Sequence, residues 1–429
     1  MLKYFKIENS YSYNQPVVLD FMAERAKKDL WQFVRKTHND YFLPVVALYG
    51  SNAGGKTNLC RAFVDFIHNI LTRQSALYSN KPMPYLLTGK RSPIIKHEAC
   101  FSFLDESGNV QNCVYEYGFH VTTRRFSHES LTVNKEGQTA KMGFTRKGQA
   151  VEYIGNYASD NYKQILEDVA KDTNTLLVNA LGQTNVGYGI SEIFDWCRKA
   201  VYKVSVQGDD DLYIGSIDLA HDIASDGAFQ KSLSKFVNSL DKSVADIKAV
   251  LSSNGESEEP WEDDYEIVAS HPVQFDSGSR NIGLPFYMLS NGTKKVILLY
   301  KTISRCLDTG GFLVIDELDT MLHPVVFREI VRIFNEPSSN PKNAQLVFAA
   351  HNTIVLNRED LRRDQIAIVE KDDSGCSSIE RLSKMTDEFG KPIRSDLKYD
   401  KAYLAGILGS FPYEFNYAFF NRGGDGLDA

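Results

Sequence analysis

The chain has 429 residues, 43% hydrophobic and 24% charged, which suits a globular protein of about two or three domains and excludes fibrous and disordered classes. Its formal net charge of −7 argues against a protein that coats nucleic acid non-specifically. No run approaches the roughly eighteen apolar residues of a membrane span, and the N-terminus MLKYFKIENSYSYNQ lacks a signal-peptide apolar region, so no membrane partner and a cytoplasmic location are expected.

From the N-terminus, residues 1–9 alternate apolar and polar, and with 17–21 they predict a pair of edge strands. The basic segment AERAKKDLWQFVRKTHN reads as a solvated excursion. Next, residues 43–49 form a short apolar, β-branched run that predicts a buried strand. It ends in Gly50, Ser51, Asn52, Ala53, Gly54, Gly55, Lys56 and Thr57, which fits G-x-x-x-x-G-K-[ST], with Asn58 following in a helical stretch, LCRAFVDFIHNIL. Glycines there let backbone N–H groups turn onto phosphates while the helix aims the positive end of its dipole at them. Lys56 would reach the β- and γ-phosphates, and Thr57 would offer its hydroxyl to Mg²⁺.

Beyond a Pro-rich turn at 81–84, period-2 segments at 97–104, 113–121 and 126–133 predict an antiparallel meander. From about Tyr162 the period becomes helical, through ILEDVAKDTNTLLVNAL, SEIFDWCRKAVYKV and FQKSLSKFVNSLDKSVADIKAVL. An acidic loop at 252–266 closes this insert, and 265–275 returns to strand, re-entering the core. Six cysteines, Cys60, Cys100, Cys113, Cys197, Cys306 and Cys376, form no C-x-x-C pair and read as buried hydrophobes.

Leu289-Ser290-Asn291-Gly292-Thr293 precedes the helical VILLYKTISRCL; Ser290 would supply a hydroxyl, and Gly292 would let backbone N–H groups approach a phosphate. A short turn and helix N-cap is the alternative reading. Then Gly311 to Ile315 is an apolar strand closed by Asp316 and Glu317, the Walker B pattern: Asp316 would hold Mg²⁺ through water and Glu317 would orient and deprotonate the attacking water. LDTMLHP follows, a D-loop in which Asp319 would cross a dimer interface and His323-Pro324 would open the next helix. The strand LVFAAH ends in His351, placed to donate to a γ-phosphate or the attacking water. Residues 368–373, IVEKDD, superficially suggest a Toprim nuclease, but no later D-x-D supplies the second acidic pair that two metals need; a core strand is expected.

The order of P-loop, insert, LSxG, Walker B and histidine is that of ABC-type ATPase heads. The chain resembles stand-alone ATPases of the overcoming-lysogenization-defect-like class, in the bacterial anti-phage branch called AAA_15 or AAA_21, and is similar to abortive-infection ATPases of the AbiL and RloA kind and to the PARIS ATPase. Besides the motifs above, NTLLVNALGQTN with FDWCRK, the segments VYEYGFHV and SHESLTV, LRRDQIAIVEKD and DKAYLAGILGSFP carry the resemblance. It implies an α/β P-loop ABC-ATPase head, a mostly parallel core sheet with an antiparallel β-subdomain, divided into an N-terminal lobe (1–160), a mainly helical insert (161–266) and a C-terminal lobe (267–429).

It also implies ATP and Mg²⁺ as cofactors and a homodimer in which Lys56 and Thr57 of one copy face Ser290 and Gly292 of the other. An ATP-driven sensor or scaffold would control a separately encoded effector, a Toprim-type nuclease in the family's usage, in response to a phage-derived trigger, with the insert as the contact surface. The signature reads LSNG where transporters have LSGG, and neither Gln74 nor Gln111 suits a Q-loop. Rival readings are a small-molecule kinase, a recombination-type DNA-repair ATPase acting directly on DNA, and a scaffold that binds ATP without turnover.

Overall fold

The computed structural model describes residues 1–25, 30–72, 83–87, 94–105, 108–137, 141–184, 189–203, 218–251, 265–386, 389–393 and 397–409. The first strands are β1 (Leu2–Glu8), β2 (Val17–Asp20), β3 (Arg35–Thr37), β4 (Asp40–Phe42) and β5 (Val45–Tyr49), and helix α1 (Lys56–Leu71) follows the glycine loop. Then come β6 (Ile94–Leu104), β7 (Val110–His120), β8 (Arg125–Lys135), β9 (Lys141–Lys147) and β10 (Ala150–Ile154), and helices α2 (Asp160–Ala170), α3 (Leu177–Leu181) and α4 (Ile190–Lys199). Strand β11 (Val201–Lys203), helix α5 (Gly227–Leu240) and strands β12 (Asp246–Leu251), β13 (Tyr265–Phe275) and β14 (Gly278–Pro285) lead to the signature helix α6 (Asn291–Thr309). The chain ends with β15 (Phe312–Ile315), α7 (Pro324–Asn335), β16 (Gln345–Ala349), β17 (Ile366–Lys371), β18 (Ser377–Arg381) and α8 (Tyr399–Leu404).

A six-stranded sheet in the order β11-β15-β16-β5-β17-β18 is parallel except for β18. β5, β15 and β16 are buried along their whole length, as a parallel sheet covered on both faces requires. Alternate residues divide between two cores: Val45, Ala47, Tyr49, Leu313 and Ile368 join α6 and α7, while Val46, Leu48, Val314 and Val369 join α1. Helix α1 places Leu59, Phe63, Phe66 and Ile70 at helical spacing. It lies between this sheet and an antiparallel seven-stranded one, ordered β10-β9-β8-β7-β6-β1-β2, with Phe63 stacked 4.0 Å from Phe5 of β1 and 5.2 Å from Phe312 of β15.

The meander is present and is extended by β9 and β10; of the expected edge pair, only β2 lies at an edge. Over residues 30–39 of the basic excursion, the chain is folded onto the core and is not merely solvated. The excursion ends in β3, which pairs with β4 just beyond it, and buried Arg35 donates to the carbonyls of Phe334 and Asn335 at the end of α7.

The 161–266 insert is not a separate helical unit. Helices α2, α3 and α4 share a core with α1, and β11 pairs with β15 in the parallel sheet. Helix α5 packs with α6 on the opposite face. The predicted helix at DIKAVL is strand β12, because its partner β13 offers a full antiparallel register from Asp246–Ser270 to Leu251–Tyr265. Hence β13 builds a three-stranded sheet over α5 and does not re-enter the parallel core. Much of the acidic loop and part of the Pro-rich turn lie outside the described residues.

Candidate nucleotide-binding site

β5 delivers its last residue to a loop only glycine can make. Gly50 has φ 146°, and a Cβ there would stand 1.9 Å from the carbonyl oxygen of Val369; Gly55 has φ 123°, and a Cβ would stand 2.4 Å from Ser377 Oγ. Gly55 caps α1 with no side chain, so the first N–H groups of the helix stay available to an anion. Gly54 N–H closes the turn on Ser51 O at 3.1 Å. Lys56 is buried and curls back to donate to Gly50 O (2.8 Å) and Ser51 O (3.0 Å); burial lowers its pKa below the ordinary lysine value.

Residues Asn52, Ala53, Gly54, Gly55, Lys56, Thr57 and Asn58 line a cavity of about 390 Å³ that is completed by Asp316, Glu317, His351 and Lys371. Asp316, 3% exposed, ends the β15 run; burial raises its pKa, opposed by a hydrogen bond from Thr57. Glu317 adopts φ 51° and turns the chain sharply after the strand. Burial, and then the Lys56 ammonium, hold the His351 imidazole below the usual range, so it is neutral near pH 7. Asp319 does not project outward as expected: its Oδ2 accepts from the N–H groups of His351 (3.0 Å) and Asn352 (2.7 Å), tying the D-loop to the histidine loop of the same chain.

Ser290 and Gly292 are not among the residues lining this cavity. Ser290 is exposed and is the N-cap of α6, its Oγ accepting from Thr293 N–H at 3.1 Å. Gly292 is required by packing within the chain: a Cβ would stand 2.9 Å from Met321 O, so the D-loop packs directly on the signature backbone. Buried Lys295, on the same helix, donates to Glu317 O (3.1 Å) and Thr320 O (2.6 Å). His323 and Pro324 do open α7, His323 Nδ1 accepting from Val325 N–H at 3.3 Å.

The fold is that of a P-loop NTPase. A family model described as AAA domain, putative AbiEii toxin, Type IV TA system (AAA_21) matches residues 198–357, a span that holds the signature, Walker B and His351. No curated protein matches the chain. Among solved structures, the chain is similar to an SMC head bound to the C-terminal winged-helix domain of ScpA, with 15% identity, TM-score 0.47, and coverage of 88% of this chain and 96% of that one. It is similar as well to the SMC head domain from Thermotoga maritima, with 15% identity, TM-score 0.41, and coverage of 89% and 98%.

Around this P-loop stand hydroxyls that no local spacing announced. Tyr13 donates to Gly55 O (3.1 Å), Ser377 to Gly54 O (2.6 Å), and Tyr403 of α8 donates to Gly50 O (2.9 Å) while accepting from Gly50 N–H (3.1 Å). Ser12 receives Asn58 Nδ2 (2.9 Å) and lies 2.8 Å from Ser377 Oγ. Gln111 is committed elsewhere, donating to Glu192 at 3.1 Å, and Gln74 lies outside the described residues. Among the described residues no helix is long and apolar enough to cross a membrane.

Proposed function

We propose that the protein binds and hydrolyses ATP as an ABC-type ATPase whose sites are completed between two copies of the chain. The carrying observation is the place of the signature: Ser290 is exposed at a helix start outside its own P-loop cavity, following exposed Tyr287 and Met288, with exposed Met321 packed on Gly292. A helix N-terminus presented on an apolar surface suits the phosphate tail held by a second copy. Lys56 swings from the loop carbonyls to the β- and γ-phosphates. The hydrogen-bonded Thr57 hydroxyl and Asp316 carboxyl are hard oxygen donors that fit Mg²⁺, which would supply charge neutralisation on the phosphates. Glu317 orients and deprotonates the water, and neutral His351 donates one hydrogen bond at the γ-phosphate.

In this reading the turnover serves a separately encoded effector in anti-phage defence, a role supported by the resemblance of the motifs alone. Phosphate release from the purified chain tests the chemistry. Lys56→Ala should abolish nucleotide binding, and Glu317→Gln should keep ATP bound while lowering turnover by about two to four powers of ten. Near-normal turnover in Glu317→Gln would move the base elsewhere. Turnover strongly stimulated by duplex DNA, with no second protein, would favour the recombination-type reading over the effector reading.

A further inference from the structure

Strand β17, which carries the first four residues of IVEKDD, ends at the nucleotide cavity with Lys371. Side chains alternate along β17: Ala367 and Val369 face the α1 core, Ile366 and Ile368 the opposite core. Lys371 continues the row facing α1, and it emerges where that row runs past the P-loop. Its neighbour Glu370 turns to the other side, where Oε1 would stand 2.5 Å from a Cβ on Gly409. In the β17–β18 ladder, Lys371 is directly opposite Ser377, the residue that hydrogen-bonds Gly54 O and crowds Gly55. The Lys371 side chain is exposed and ion-pairs with no carboxylate among the described residues.

Sheet order fixes which end of the nucleotide this cation meets. β16 and then β15 lie on one side of β5, and β17 lies on the other. Asp316, Glu317 and His351 therefore mark one end of the cavity, and Lys371 the opposite end. The acids and the histidine belong with the metal and the γ-phosphate, as the function proposed above assigns them. With the loop N–H groups and Lys56 between them, the phosphate left at the far end is the α-phosphate.

We propose that Lys371 is a second cation of the nucleotide site and binds the α-phosphate, so that it recognises nucleoside diphosphates and triphosphates alike. This rests on the ATPase reading, and the test separates the two. ATP and ADP are titrated calorimetrically into the full-length chain carrying Lys371→Ala or Lys371→Arg, with thermal melting to verify folding. Lys371→Ala should weaken ATP and ADP by the same factor, about tenfold, the loss expected for one charge-assisted hydrogen bond to phosphate. Lys371→Arg should recover affinity to within about threefold, because the charge is kept. Unchanged affinity for both nucleotides in Lys371→Ala overturns the proposal, as does a loss confined to ATP, which would put the lysine at the γ-phosphate. Wild-type protein that binds neither nucleotide would overturn the reading of the site itself.

Discussion

Asp65 sits in the middle of the P-loop helix, buried, with one hydrogen bond from Tyr11 OH at 2.7 Å. Burial pushes its pKa from the ordinary 3.8 up to about 7. The folded state thus holds this proton more tightly than the unfolded chain does. The resulting stabilisation is full below about pH 4 and is lost as the pH rises through about 7. Asp65→Asn keeps an acceptor for Tyr11 and removes the titration. Urea midpoints of the variant should lose the wild-type decline between about pH 4 and 7, and the variant should be the more stable form at pH 8. At this scale the sequence was most legible where the chemistry is local: Gly50 through Thr57 must be contiguous because one loop wraps one phosphate chain. Ser12, Ser377 and Tyr403 were illegible, since a serine or tyrosine hydroxyl becomes a P-loop support only when folding brings it there. The motifs point to Asp319 and Gly292 as site residues, but what they touch, the histidine loop and the D-loop carbonyl, depends on neighbouring segments.

Helix α3 shows how an element can depend on a side chain far from it in sequence. Its N-cap residue, Leu176, offers no side-chain acceptor, and the N–H groups of Leu177 (2.8 Å) and Val178 (3.2 Å) instead donate to fully buried Glu129 on β8. Tyr115 OH donates to the same carboxylate at 2.9 Å, and Arg146 lies 3.4 Å away, itself donating to the carbonyls of Thr175 and Ala170. Glu129→Ala leaves two helix N–H groups without their acceptor and a buried guanidinium without its counter-charge. It should destabilise the fold by about 3 kcal/mol, read from chemical denaturation, with Glu129→Gln markedly milder because an amide oxygen still accepts. Elements with one strong period were legible, as α1 and β5 were. DIKAVL was not: a six-residue apolar segment satisfies either period, and only the register with β13 decides it.

Across the whole molecule, the order of motifs along the chain carried the most information, and the lobe boundaries carried the least. The change to a helical period predicts one insert from 161 to 266, yet its helices divide between the two faces of the parallel sheet, a partition governed by which apolar surface each helix covers. Ser290→Arg and Lys56→Ala should each abolish hydrolysis alone, but mixed and allowed to exchange they should regain activity, up to about a quarter of wild type, because only the heterodimer contains one intact site. Mixing that restores nothing, with both variants folded and exchanging, would argue against sites shared between copies.

The hydroxyl supports of the P-loop also bear on how the protein is made. Ser12 and Ser377 meet across 365 residues, and Gly50 and Tyr403 across 353. β5, which launches the loop, pairs on both sides with strands that leave the ribosome long after it, β16 and β17. Contacts of such sequence separation form late, after the entropy of closing a long loop has been met. A nascent chain that has already exposed GSNAGGKT therefore still lacks the frame that holds those glycines in their left-handed and tightly packed conformations. Nucleotide affinity should arise only near the end of synthesis, so a chain truncated before α8 carries the complete motif without a finished site.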